Sequence, residues 1–132
     1  MAREWRFNPF TRKLERNSVD GGGVSNYVDG ATSVAWSSGA ATVNYSTCNN
    51  VLRLSDLTQN TTLTLSNLVA NKGLYATVEQ DGNGPWTLDI GTSGNEVEVT
   101  INDTGKTVLY IDYDGTDLIC QDMSSAGLTV LA

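Results

Sequence analysis

From Ser33 onward the chain alternates apolar and polar residues at the spacing of strands. In EVEVTIN, Val97, Val99 and Ile101 alternate with Glu96, Glu98 and Thr100, the period of two expected of a half-buried strand. TTLTLSNL repeats the pattern through Leu63 and Leu65, and VLRLS does so less cleanly through Val51, Leu52 and Leu54. Further strands are expected at 34–38, 42–46, 74–80, 86–91, 107–113, 117–122 and 127–131. Turn residues punctuate them: Asp81-Gly82, Gly84-Pro85, Gly94-Asn95, Gly105-Lys106 and Asp114-Gly115. TVLYIDY-DG-TDLICQD is the clearest hairpin, with both central residues expected at positive φ. Beyond the first seventeen residues no stretch holds helical spacing, and no internal repeat stands out. About nine or ten short strands with closely spaced turns predict an all-β fold, a compact antiparallel sandwich or jelly-roll-like body.

The first residues break this pattern. MAREWRFNPFTRKLERN, at 1–17, is basic and aromatic, and SVDGGGVSNYVDGATS, at 18–33, is rich in glycine and small polar residues. This divides the chain into an extended arm (1–17), a linker (18–33) and a body (34–132), the linker composition letting arm and body orient separately.

Composition and charge sharpen the division. The 132 residues suffice for one domain with an appended arm. The net charge of −7 is uneven: residues 1–16 carry +3 and the remainder −10. An acidic body argues against nucleic acid as a partner, because phosphate neutralisation needs clustered Lys and Arg. The arm suits an acidic protein surface or, as a lesser choice, nucleic acid, with a plain solvated tail as the alternative on charge alone. No apolar run approaches the ~18 residues of a membrane span, and the charged N-terminus does not read as a secretory signal. Cys48 and Cys120 are too few for a disulfide framework and are expected as small buried thiols in a protein made in a reducing cytoplasm, a lone bridge between them being the lesser alternative.

Candidate chemistry is sparse. The sequence contains no histidine, which removes the commonest general base, the usual catalytic triads and the commonest zinc ligand. Neither a GxxxxGK[ST] loop nor a GxGxxG fingerprint is present. Asp112, Asp114 and Asp117 in DYDGTD resemble a calcium loop superficially, but Met123 stands where such a loop needs its closing glutamate. Turn chemistry is expected there instead. Nothing selects a facing pair of glycosidase carboxylates. The reading is therefore a protein without enzymatic activity, cofactor or metal. Among the aromatics, Trp36, Tyr110 and Tyr113 fit inside the sheets, whereas Trp86, following GNGP, is the candidate for stacking on a glycan. The sequons at Asn44, Asn60 and Asn102 read as accidents of composition.

The series TTLTLSNL, GLYATVEQDGNGPWTLDI and VEVTINDTGKTVLYIDYDGTDLIC resembles a β domain common in structural proteins of tailed bacteriophages. That domain has a "t-L-t-L-s" strand, a strand ending in a Q-D-G-x-G turn, and a hairpin closing on Y-D-G-T. Gln80-Asp81-Gly82-Asn83-Gly84 and Tyr113-Asp114-Gly115-Thr116 match it. FNPFTRKLE resembles the NPFTGKLD opening of short phage virion proteins, with Arg12 where glycine is usual and Glu15 where aspartate is usual. Together the matches cover residues 7–15 and about 40–121.

The resemblance implies a virion protein assembled in the host cytoplasm. Its arm would attach to the major capsid protein or another virion protein, and its body would form a homotrimer. Phe7, Pro9 and Phe10 would be apolar anchors, flanked by Trp5, Asn8 and Leu14. Arg3, Arg6, Arg12, Lys13 and Arg16 would pair with an acidic shell surface. Capsid decoration or a short head fibre is the first expectation; a tail or baseplate appendage binding host surface glycan is the second. A free carbohydrate-binding or inhibitor-like module, with no particle, is a third reading that leaves the arm unexplained.

Overall fold

A computed structural model of the chain describes residues 30–124 together with Thr129 and Leu131. Nine strands and no helix occur among the described residues: β1 (Thr32–Val34), β2 (Ala40–Asn44), β3 (Val51–Leu54), β4 (Thr61–Ser66), β5 (Lys72–Val78), β6 (Leu88–Gly91), β7 (Val97–Val99), β8 (Thr107–Tyr113) and β9 (Leu118–Asp122). They form a five-stranded sheet, ordered β1-β3-β5-β8-β9, and a four-stranded sheet, ordered β2-β4-β6-β7. The body is all-β and sandwich-like, as expected, but it is not antiparallel throughout. β1-β3, β3-β5, β2-β4 and β4-β6 are parallel; β5-β8, β8-β9 and β6-β7 are antiparallel.

The parallel pairs follow from the route of the chain. From β1 to β6 each strand passes to the opposite sheet, so neighbours within a sheet are separated by a whole circuit. Residues paired across these circuits, Thr32↔Leu52, Ala40↔Thr62, Val51↔Tyr75 and Thr61↔Leu88, lie 20, 22, 24 and 27 positions apart. After β6 the chain turns back on itself: β7 pairs locally with β6 and β9 with β8, while β8 returns to pair with β5, 29 to 41 positions away.

Alternation sends one side of each strand inward. In β4, Thr61, Leu63 and Leu65 are buried between half-exposed neighbours. In β5, Leu74, Ala76 and Val78 are buried while Tyr75 is exposed. Leu52, Leu57, Leu63, Leu74, Leu88, Leu109 and Ile111 are fully enclosed where the two inner faces meet. Each such aliphatic side chain contributes on the order of 1.5–3 kcal/mol through its removal from water.

Three strand expectations are corrected. The stretch 34–38 is not a strand, because β1 ends at Val34 and Ser38 and Gly39, both at positive φ, carry a tight turn closed by the Ser37–Ala40 bridge. Thr32 and Ser33, read above as linker, belong to β1. Val97 does not pack inside but is 65% exposed, since β7 is an edge strand of only three residues. Of the strand expected at 127–131, Leu128 and Val130 lie outside the described residues, and Thr129 and Leu131 are not in strand conformation.

Strand direction gives the body two poles. β1, β3 and β5 run parallel towards one pole, which carries the connection Gln80–Trp86 and the loop leading into Thr107. The opposite pole carries the β8–β9 hairpin at Asp114-Gly115.

Candidate binding site at the Trp86 loop

The connection between β5 and β6 is organised by Gln80 and Asp81. The Trp86 backbone N–H donates to Gln80 Oε1 at 2.6 Å, and Gln80 Nε2 donates to the Asn102 carbonyl at 3.0 Å. One amide thus ties the loop to its neighbour at the same pole. Asp81 Oδ1 accepts from Asn83 N–H at 2.8 Å, the turn geometry in which an Asx side chain stands in for backbone, and from the indole Nε1 of Trp86 at 2.9 Å. The indole bond, followed by the Asn83 amide, holds the Asp81 carboxyl below its ordinary value of 3.8. Gly82 supplies the positive φ of the turn. Gly84 leaves room for the ring, since a Cβ there would lie 3.0 Å from Trp86 Cδ1.

Trp86 is half-buried: one part packs against the core and the rest borders a groove of about 500 Å³. Pro85 and Thr87 continue the rim, and Glu98, Thr100 and Asp103 form the facing wall. An aromatic surface fixed in orientation, with hydroxyls and carboxylates opposite it, presents the two elements that grip a sugar: a face for C–H stacking and acceptors for hydroxyl groups.

The other sequence candidates separate from this site. Arg3, Trp5, Arg6, Phe7, Asn8, Pro9, Phe10, Arg12, Lys13, Leu14 and Arg16 lie outside the described residues. Asp114 is engaged in its turn, Oδ1 accepting from Thr116 N–H at 2.8 Å and Asp117 N–H at 2.7 Å. The hairpin there differs from the expected two-residue form: Gly115 takes positive φ and Asp114 does not, because the carboxylate organises a four-residue loop. Cys48 and Cys120 are free and half-buried. Trp36 packs against the core and donates its indole N–H to Ser55 O at 2.8 Å. The sequon asparagines serve as local acceptors and donors; Asn60 Oδ1 takes the Thr87 N–H at 3.0 Å, and Asn102 Nδ2 reaches Lys106 O at 3.0 Å.

The expectation that Tyr110 packs inside the sheets is corrected by an aromatic pair on the outer face of the five-stranded sheet. Tyr75 and Tyr110 stand opposite each other in the β5–β8 register with ring centroids 5.2 Å apart. The signal was present in GLYATV, where Leu74, Ala76 and Val78 are the inward set and Tyr75 must therefore point outward. No protein-family model, curated protein or solved structure matches the chain.

Proposed function

We propose that this chain is a non-enzymatic structural protein of a bacteriophage virion, anchored to the capsid by its N-terminal arm and displaying a trimeric β domain as a capsid decoration or short head fibre. The supporting observation is the polarity of the body. β1, the first strand after the arm and linker sequences, runs away from the Asp114-Gly115 pole and towards the Trp86 pole. A domain entered from one side and bearing its loop site on the other suits display from a surface. The charge division, +3 over residues 1–16 against −10 in the remainder, supports the same separation of tasks. Three copies would give the short arms avidity that one lacks.

Co-sedimentation with tail-free, DNA-filled heads tests the reading, using the full chain beside a version lacking residues 2–17 whose folding is checked by circular dichroism. Binding by the full chain alone is expected; binding by both would move the contact to the body, and binding by neither would move the protein to the tail.

The Trp86 groove supports a second reading, a tail or baseplate appendage that binds host surface glycan. A glycan array probed with the full chain and with Trp86→Ala decides it. Hits lost in the variant favour the appendage, and an array without hits removes it.

A further inference from the structure

The two sheets do not close on each other at one side. Among the described residues, β7 is an outer strand of the four-stranded sheet and β9 an outer strand of the five-stranded sheet, and they face one another without backbone pairing. Between them lies a cleft of about 860 Å³. Val97 and Val99 line it from β7, and Leu118, Cys120 and Asp122 from β9. Its walls combine apolar side chains with two strand edges whose outward N–H and C=O groups have no sheet partner among the described residues. Such a surface calls for an occupant that brings backbone hydrogen bonds as well as apolar side chains, namely a strand. A second observation agrees. Asp122 Oδ2 is buried and has no hydrogen-bond partner, while Oδ1 accepts from both Ser124 N–H and Ser124 Oγ. Asp122 is thus a cleft-lining residue whose carboxylate has unused acceptor capacity.

The chain itself contains a fitting segment. Eight residues, SAGLTVLA, follow Ser124; none has a charged side chain, and three are large aliphatics. Fully extended they reach about 26–29 Å, more than the roughly 17 Å of a five-residue strand such as β9. Of the segment's described residues, Thr129 is exposed and Leu131 is 93% exposed. Leu131 and Val97, at 65%, are the two most exposed large apolar side chains among the described residues. One belongs to a segment suited to filling the cleft, the other to the cleft's rim.

We propose that the cleft between β7 and β9 accepts, as an added strand, the C-terminal residues 125–132 of a second copy of this chain. The contact is independent of the N-terminal arm, and it makes self-association depend on the last residues of the sequence. Removing apolar surface from water and pairing free strand edges both favour it. Because the segment is uncharged, it approaches the acidic body without like-charge repulsion from its own side chains.

The full chain provides the test. Sedimentation is expected to show a multiple of 14.1 kDa, falling to 14.1 kDa for Val97→Asp and for Val130→Asp, with both variants keeping their β circular dichroism. Val97 is too exposed for its replacement to unfold the body. A monomeric full chain, or an assembly that both variants leave intact, overturns the proposal.

Disulfide trapping then identifies the donor, in a background where Cys48 and Cys120 are alanine. A chain carrying Val97→Cys is mixed with chains carrying cysteine singly in place of Leu128, Thr129, Val130 or Leu131. A mixed disulfide concentrated at one or two alternate tail positions is expected. Its absence at every position overturns the proposal, as does a Val97→Cys/Val130→Cys chain that closes only on itself at every dilution.

Discussion

Tyr45 and Lys72 hold each other reciprocally across the two sheets. The Tyr45 hydroxyl donates to the Lys72 carbonyl, while the Lys72 ammonium donates to the Tyr45 carbonyl at 2.8 Å. The same ammonium also donates to the Cys48 carbonyl at 2.8 Å and lies 5.8 Å from the Tyr45 ring centroid. Tyr45 continues the four-stranded sheet from β2, its N–H bonding Ser66 O, whereas Lys72 opens β5 in the other sheet. Replacing Lys72 with methionine retains much of the aliphatic stem but leaves two carbonyls without their donor. A loss of about 2 kcal/mol is expected, in the range for hydrogen bonds to charged groups, measured by urea unfolding.

Alkaline pH should loosen the same clasp. Burial raises the Tyr45 phenol above its ordinary value of 10.0, and the Asp112 carboxylate acts in the same direction. A raised folded value means that this contribution to stability is complete below pH 10 and declines as the pH climbs through the raised value. Unfolding midpoints followed through that range should fall more steeply for the parent protein than for Tyr45→Phe.

At acidic pH the reporter is Trp86. Its partner Asp81 has a lowered folded value, so the bond from the indole persists above the ordinary 3.8 and is lost as the pH falls through the lowered one. Trp86 emission, read in a Trp5→Phe/Trp36→Phe background, should hold steady from neutrality to about pH 4, the ordinary aspartate range, and change below it. In Asp81→Asn the acidic step should disappear.

Gly91 is buried, and a side chain there has no room to settle. A Cβ would lie 2.5 Å from Asn95 O and 2.8 Å from Glu96 Cα, both backbone atoms. Gly91→Ala should therefore shift the β6–β7 connection and cost about 1–3 kcal/mol, the usual range for overpacking. Gly82→Ala would meet no atom within 4 Å, although its φ of +90° remains unfavourable for alanine. Thermal unfolding of the two variants separates crowding from backbone strain.

Cys120 should be slow to react. Burial, with Asp122 adding to it, pushes its thiol up to about 11 from an ordinary 9.0. At pH 8 the thiolate fraction, and with it the alkylation rate, is expected to be roughly 100-fold below that of a thiol with the ordinary value. The contrast should vanish in denaturant, as mass spectrometry of labelled peptides would show.

Strand positions were legible in the chain because inward residues recur at every second place, as in Leu63 and Leu65 or Leu74, Ala76 and Val78. Pairing was not. Alternation marks faces and says nothing of neighbours, so the parallel ladders of β1 to β6 left no local signature. Their circuits also lengthen from 20 to 27 positions, which erases the fixed period a repeat would show. Trp86 was visible as a site candidate through the turn residues before it. Its groove was not, since Glu98 and Asp103 come from other elements and meet it only after folding. Val97 misled because an alternating strand at an unclosed edge looks like one inside a sheet.

The winding also constrains the order in which the body can be made. Tyr113 and Leu118, paired in the β8–β9 hairpin, are only five residues apart, whereas β1 has no partner until Leu52 exists. Short loops are the cheapest to close, and distant contacts slow folding. Synthesis proceeds from the other end, so the β8–β9 contacts, the most local of this body, are made from the last of its strands to emerge. The early strands must stay soluble while they wait, and the sandwich assembles only once the chain through Asp122 has emerged.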